Sequence, residues 1–235
     1  MKVSVIIASF NYGAYLKDAL DSALAQDYPN YEVVVIYRPS GDGTEQVLAG
    51  YQGRVKVIKQ AGQGLANASN LGIKNSVGDY VIRLDADDIF YSDILEREAR
   101  VLTVEPAVDF VYPDYVYNIE RTGERIRKTL PAFDREELLG RGDFLSGGTM
   151  FRRSLFDKVG LYDEKLPTLE SYEFILRLMK QGVVGRHLPE PLFEYRIHEK
   201  SMSDNKELVA ATGRQIAAQY GLAYRTGDNH PRLIR

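Results

Sequence analysis

Over the first hundred residues, short apolar runs alternate with segments of helical periodicity, and this rhythm constrains the fold more than any other feature. Residues 3–8 form a β-branched, apolar run with the character of a strand buried on both faces. Tyr15, Leu16, Ala19, Leu20, Ala23 and Leu24 then recur at helical spacing, which predicts an amphipathic helix over 14–26. "EVVVIY" (32–37) reads as a second buried strand, followed by a turn at 39–43. Residues 55–59 are a third strand, 65–75 a helix after a glycine-bearing loop, and 80–84 a fourth strand. Ser92 is expected to cap the next helix, whose Ile94, Leu95, Ala99 and Leu102 share one face. Strands and helices in this alternation predict an α/β fold, a mostly parallel sheet covered by helices on both faces. Ligands of such sheets bind beyond the carboxyl ends of the strands. "SFN", "YRPSGDG" and "DADD" all follow strands and should gather along that edge.

After residue 108 the rhythm changes. "VDFVYPDYVYN" and "ERIRKTL" flank an Arg121-Thr-Gly-Glu124 turn and read as a small antiparallel addition. "GGTMFRRSLFDKVG" reads as a short strand and a helix. "ESYEFILRLMKQG" reads as a helix with Phe174, Ile175, Leu178 and Met179 inward and Gly182 at its end. "PEPLFEYRIHEKSMS" gives one more strand and a polar loop, and 206–235 a helix and a polar tail. No Pro/Ser-rich linker interrupts the chain, so 1–205 is expected to be one domain of two halves, 1–110 and 111–205.

A net charge of −3 gives no pull toward nucleic acid or anionic lipid. The basic stretch "RTGERIRK" reads as a solvated hairpin. Cysteine is absent, which excludes disulfides, thiolate catalysis and cysteine metal sites. No apolar run is long enough for a signal core or a membrane span. A cytoplasmic location is expected, with any membrane contact peripheral, at the inner face.

Three carboxylates, Asp85, Asp87 and Asp88, crowd the end of the fourth strand, where each raises its neighbours' pKa. One reading is a solvated loop with Asp88 as a helix cap. The other is a divalent cation, Mn²⁺ or Mg²⁺, held by one or two carboxylates and completed by phosphate oxygens and water. The position at the ligand-binding edge favours the cation.

Four ordered blocks carry a resemblance: "VSVIIASFNYGAYLKDALDSALAQDYPNYEVVV", "GQGLANASNLGIKNSVGDYVIRLDADD", "GGTMFRRSLFDKVGLYDEKLP" and "PLFEYRIHEKSMS". In this order and spacing they resemble glycosyltransferase family 2, over about residues 2–204. The resemblance implies the GT-A fold and metal-dependent transfer of a sugar, hexosyl-type, from a nucleotide-sugar to an acceptor hydroxyl with inversion. It implies saccharide or glycolipid acceptors and a role in polysaccharide or glycolipid assembly. The first half becomes the nucleotide-sugar-binding half and the second the acceptor side. Phe10 would stack on the base, with Ala8 and Ser9 positioning it; a core aromatic is the alternative. Asp87 would ligate the metal, and Asp85 would hold ribose or share the metal shell, with Ala86 between them and Asp88 beside them. Gly64 and Asn70 fall in the family's helix block on the donor side. Gly147 and Gly148 match the acceptor block, and Arg196 and His198 a segment that closes over the diphosphate.

The chain departs from the family pattern twice. Where the family commonly carries two aspartates after the second strand, this chain has Tyr37 and Arg38. A guanidinium only donates, so it cannot accept from a uracil N–H, and other nucleotides stay open. Where the family places its catalytic aspartate, after a glutamate, this chain has Ser171 after Glu170. Serine is no general base at neutral pH. Glu170 is then the first candidate base and Glu173 the second. The competing function is a non-catalytic nucleotide-sugar or glycan-binding protein on the same fold.

Overall fold

The computed structural model describes residues 1–134, 145, 147–199 and 205–222. Four strands of the first half are parallel: β1 (Val3–Ser9), β2 (Tyr31–Tyr37), β3 (Lys56–Lys59) and β4 (Tyr80–Asp85). Val5, Ile6 and Ile7 of β1 and Val34 to Ile36 of β2 are excluded from solvent, because helices cover both faces. Helix α1 (Gly13–Leu24) buries Leu16, Ala19, Leu20 and Ala23. A short α2 (Thr44–Ala49) follows β2, and α3 (Gly64–Lys74) precedes β4. Gly72 lets α3 approach the sheet closely: a Cβ there would lie 2.4 Å from Ile6 Cγ2.

The acidic end of β4 runs into a two-residue strand, β5 (Ile89–Phe90), and then α4 (Ile94–Val104). Ser92 does not cap that helix. Asp93 occupies the cap position, and the Ser92 hydroxyl instead donates to Asp27 Oδ2 at 2.8 Å, tying this turn to the end of α1.

The second half adds β6 (Phe110–Ile119), β7 (Glu124–Lys128), β8 (Met150–Arg152) and β9 (Gly185–Ile197). The strands join one sheet in the order β3-β2-β1-β4-β8-β6-β9-β5, with β7 on β6. β8 is antiparallel to both β4 and β6, and the β6–β7 hairpin is the expected solvated one. β6 and β9 are parallel, with register shifts around Pro113 and Asp114, beside prolines that cannot join the ladder as donors. Helices α5 (Arg153–Val159), α6 (Glu170–Lys180) and α7 (Lys206–Gln219) complete the described chain. α6 buries Phe174, Ile175 and Leu178 as expected, with Met179 half-buried, and Gly182 ends it at φ 65°. The loop end at 200–204 and the tail from 223 lie outside the described residues. No helix among the described residues is long and apolar enough to cross a membrane.

Candidate active site

The carboxyl ends of β1, β2 and β4 open on a cleft of about 620 Å³. Parallel pairing sets Ala8 beside Asp85 and Ser9 beside Tyr37, so the three strands deliver their following loops to one place. Of the residues singled out in the sequence, Ala8, Ser9, Phe10, Arg38, Gly64, Asp85, Ala86, Asp87, Asp88, Glu170 and Ser171 line it.

The carboxylate crowding is real, and each acid meets a different partner. Burial raises the pKa of Asp85, which Arg83 opposes and Asp87 reinforces. Arg83 Nε lies 2.9 Å from Asp85 Oδ1, a close ion pair that is not aligned as a hydrogen bond. Asp87 Oδ2 contacts His198 Nε2 at 3.0 Å, and the imidazole stacks on Tyr15 with ring centroids 4.4 Å apart. Asp88 accepts the Arg196 N–H at 2.9 Å on Oδ1, but its buried Oδ2 has no hydrogen-bond partner. Burial first, then repulsion from Asp87 and Asp85, pushes Asp88 well above the carboxylate range. β5 explains how these partners arrive: Ile89 and Phe90 pair with Glu194 and Phe193 of β9, which brings Arg196 and, just past its end, His198 to the acidic turn.

Among the described residues, no group of three or more His, Cys, Asp or Glu side chains forms a metal cage. A hard cation that takes one or two carboxylates and fills its shell from a phosphorylated ligand fits the donor set better than an all-protein site. Asp85, Asp87 and Asp88 all line the cleft, and the buried Asp88 Oδ2 has no hydrogen-bond partner.

Across the cleft, Leu169 adopts a left-handed conformation (φ 58°, ψ 25°) immediately before α6. That conformation costs a non-glycine residue about 1–2 kcal/mol, and it starts the helix at Glu170. Glu170 is 6% exposed. Its Oε1 accepts from Arg83 Nη1 at 3.1 Å and from the Ser171 hydroxyl at 3.3 Å. Arg83 therefore bridges the acidic loop and the start of α6. Burial works against its charge, but Asp85 and Glu170 outweigh that and hold the proton firmly. Arg83 was not among the residues expected at the site. The available signal was a cation two residues before Asp85, hence on the same face of the strand, between apolar Ile82 and Leu84.

Other expected residues lie outside the lining. Asn70 is buried in α3 and pins the chain after α5: its Nδ2 donates to Tyr162 O (2.9 Å) and Glu164 Oε1 (2.8 Å), and its Oδ1 accepts from Tyr162 N (3.0 Å). Gly147 backs the acidic strand, where a Cβ would sit 3.4 Å from Arg83 O. Gly148 (φ 76°) donates its N–H to Arg83 O and leaves no room for a Cβ against the Phe193 ring. The Arg196 guanidinium points to Asp18 and Glu120 and lies over Tyr15. Glu173, the second candidate base, is committed elsewhere. It accepts from Arg177 Nε (3.0 Å) and Nη2 (2.8 Å) and from the Tyr220 hydroxyl (2.6 Å), and it does not line the cleft.

The profile of the family described as "Glycosyl transferase family 2" matches residues 4–160. A Rickettsia felis protein described as an uncharacterized glycosyltransferase is 30% identical over 213 residues, which cover 86% of this chain and 35% of that protein. The chain spans between about a third and two thirds of the length of the first curated relatives it matches. Among solved structures, Staphylococcus aureus TarS 1-349 in complex with UDP-GlcNAc superposes with a TM-score of 0.74 at 21% identity, over 93% of this chain and 66% of that one. The mannosyltransferase PcManGT from Pyrobaculum calidifontis, in complex with GDP-Man and Mn²⁺, gives 0.70 at 19% identity, over 93% and 63%. At these identities the likeness to both concerns the fold.

Proposed function

The chain belongs to glycosyltransferase family 2 and has the GT-A fold, and from that premise we propose that it moves a sugar from a nucleotide-sugar to an acceptor hydroxyl with inversion. The observation that carries this reading is the cleft itself, which sets the Asp85–Asp88 turn opposite Glu170 with Arg83 between them. The neighbours with bound UDP-GlcNAc, or with GDP-Man and Mn²⁺, agree with a nucleotide-sugar donor and a divalent metal. Asp87 and Asp85 are the residues that would hold Mn²⁺ or Mg²⁺, which when bound acts as a Lewis acid on the departing diphosphate.

The rest of the chemistry falls to the chain's own side chains. The acceptor oxygen forms its bond to the anomeric carbon as the bond from that carbon to the diphosphate oxygen breaks. The acceptor proton passes to Glu170. Among the described residues, the side-chain contacts of Glu170 fall on Oε1, leaving Oε2 for that proton. Arg83 holds Glu170 in place at the cleft through its hydrogen bond to Oε1. The acceptor is a saccharide or glycolipid, the transfer hexosyl-type, and the setting polysaccharide or glycolipid assembly at the cytoplasmic side of a membrane.

Ser171 in the family's usual base position favours a second reading, a donor-binding protein without turnover. Both readings require the donor site. Titration of UDP and GDP with and without Mn²⁺, for the native protein and for Asp87→Ala, tests it. Binding should require the cation and be lost in the variant. Equal binding in chelator and in the variant would contradict the donor-site assignment.

A further inference from the structure

Arg38 enters the cleft from the end of β2, and its guanidinium carbon lies 3.5 Å from the centroid of the Phe10 ring, at van der Waals contact. The pairing follows from register: Ser9 and Tyr37 are partners in the β1–β2 ladder, so the next residue of each strand exits side by side. Among the described residues, no ion pair or side-chain hydrogen bond engages Arg38. Its five N–H donors are uncommitted, while the contact with the Phe10 ring holds the guanidinium at that corner of the cleft. Beside them, the Ser9 hydroxyl is buried without a hydrogen-bond partner and its residue lines the same cleft. The carboxylate of this loop is not available as an acceptor. Asp42 already receives the Ser40 hydroxyl, the Gly13 N–H and both donors of Thr44.

Among the described residues, this corner of the cleft therefore offers a planar fork of donors and no free carboxylate. We propose that Arg38, held on Phe10, reads the nucleobase of the donor and selects guanine. The inference rests on the nucleotide-sugar reading above and names the base that reading leaves open. A donor fork needs two adjacent acceptors, and guanine presents O6 and N7 side by side, the bidentate match for arginine. Uracil places an N–H between its two carbonyls, and adenine sets an amino group beside N7, so each opposes one arm of the fork. Cytosine, with O2 beside N3, is the competing match. The 620 Å³ cleft leaves room for the larger base.

Binding of GDP, CDP, UDP and ADP, each with Mn²⁺, is measured by calorimetry for the native protein, Arg38→Met and Arg38→Lys. The native protein should favour GDP over UDP and ADP by roughly ten- to a hundredfold, the range of one bidentate base contact. Both variants should lose most of that preference, lysine because it keeps the charge without the fork, while UDP affinity changes little. Arg38 is exposed to the cleft, so neither variant disturbs the core. A native preference for CDP, UDP or ADP overturns the guanine assignment and leaves the sugar-transfer reading intact. An equal loss of all four diphosphates in Arg38→Met overturns it too, since Arg38 would then hold phosphate. Failure of all four to bind overturns both this inference and the nucleotide-sugar reading beneath it.

Discussion

Arg83→Met replaces the guanidinium with an apolar side chain of similar reach and leaves two carboxylates facing each other in a semi-enclosed space. Arg83 contacts Asp85 at 2.9 Å and Glu170 at 3.1 Å, with side-chain exposures of 12%, 24% and 7% in that order. Removing one partner of a buried pair typically costs about 3–5 kcal/mol, because the remaining charge is left uncompensated. The Glu170 side falls in that class. Asp85 opens to the cleft, and its pair sits closer to the exposed class, worth about 0–1 kcal/mol. The sum is about 4 kcal/mol. For a chain of this size that corresponds to a fall in Tm of about 8–16 °C. Urea unfolding of four proteins, native, Arg83→Met, Glu170→Gln and the double variant, measures the cost and its origin. If the penalty comes from the stranded Glu170 charge, adding Glu170→Gln to Arg83→Met should recover about 2 kcal/mol, a coupling within the range for contacting residues. A loss below about 1 kcal/mol, or strict additivity of the two substitutions, would refute the bridge as the element that joins the acidic loop to α6.

Two further perturbations probe groups whose roles differ from their appearance in sequence. Burial pushes the Asp42 pKa up, but hydrogen bonds from Ser40, the Gly13 N–H and Thr44 outweigh it and hold the group at about 2. A folded pKa below the unfolded value of about 3.9 gives stability that is complete above pH 4 and lost as pH falls toward 2. Asp42→Asn should lower stability at pH 7 and flatten the acid limb of a stability–pH curve between pH 4 and 2; an unchanged limb would remove Asp42 as its source. Glu173→Gln should cost about 1.5–3 kcal/mol through weakened charge-assisted hydrogen bonds to Arg177, yet leave turnover per folded molecule within twofold. A large loss of kcat at unchanged folded fraction would return Glu173 to the catalytic candidates.

The first half was readable because its signals are local. Each strand is a short apolar run, each helix repeats at 3.6, and strand-end loops share an edge by topology. What the sequence concealed is mostly non-local. The acidic turn is held by His198 and the Arg196 backbone, more than a hundred residues away, through a β5 of two residues that leaves almost no periodic trace. Helix α2, at six residues, is similarly short. Asn70 falls in the helix block that carries the family resemblance, but only the folded chain shows its amide taken up by Tyr162 and Glu164. Glu173 carried a warning in its spacing, since Arg177 lies four residues on and such pairs meet on a helix. The clasp of Arg38 on Phe10 follows from register between β1 and β2, which sequence alone does not fix.

The most direct test of the account is sugar transfer itself, with Glu170 as the group that takes the acceptor proton. Nucleoside diphosphate release from a panel of nucleotide-sugars, with Mn²⁺ and saccharide acceptors, is followed for the native protein, Glu170→Gln and Ser171→Asp. General-base assistance is typically worth about 10²–10⁴-fold. Glu170→Gln should lower kcat by that order with donor affinity nearly unchanged, and Ser171→Asp should keep or raise turnover. Full activity in Glu170→Gln, or transfer seen only after Ser171→Asp, would contradict the account.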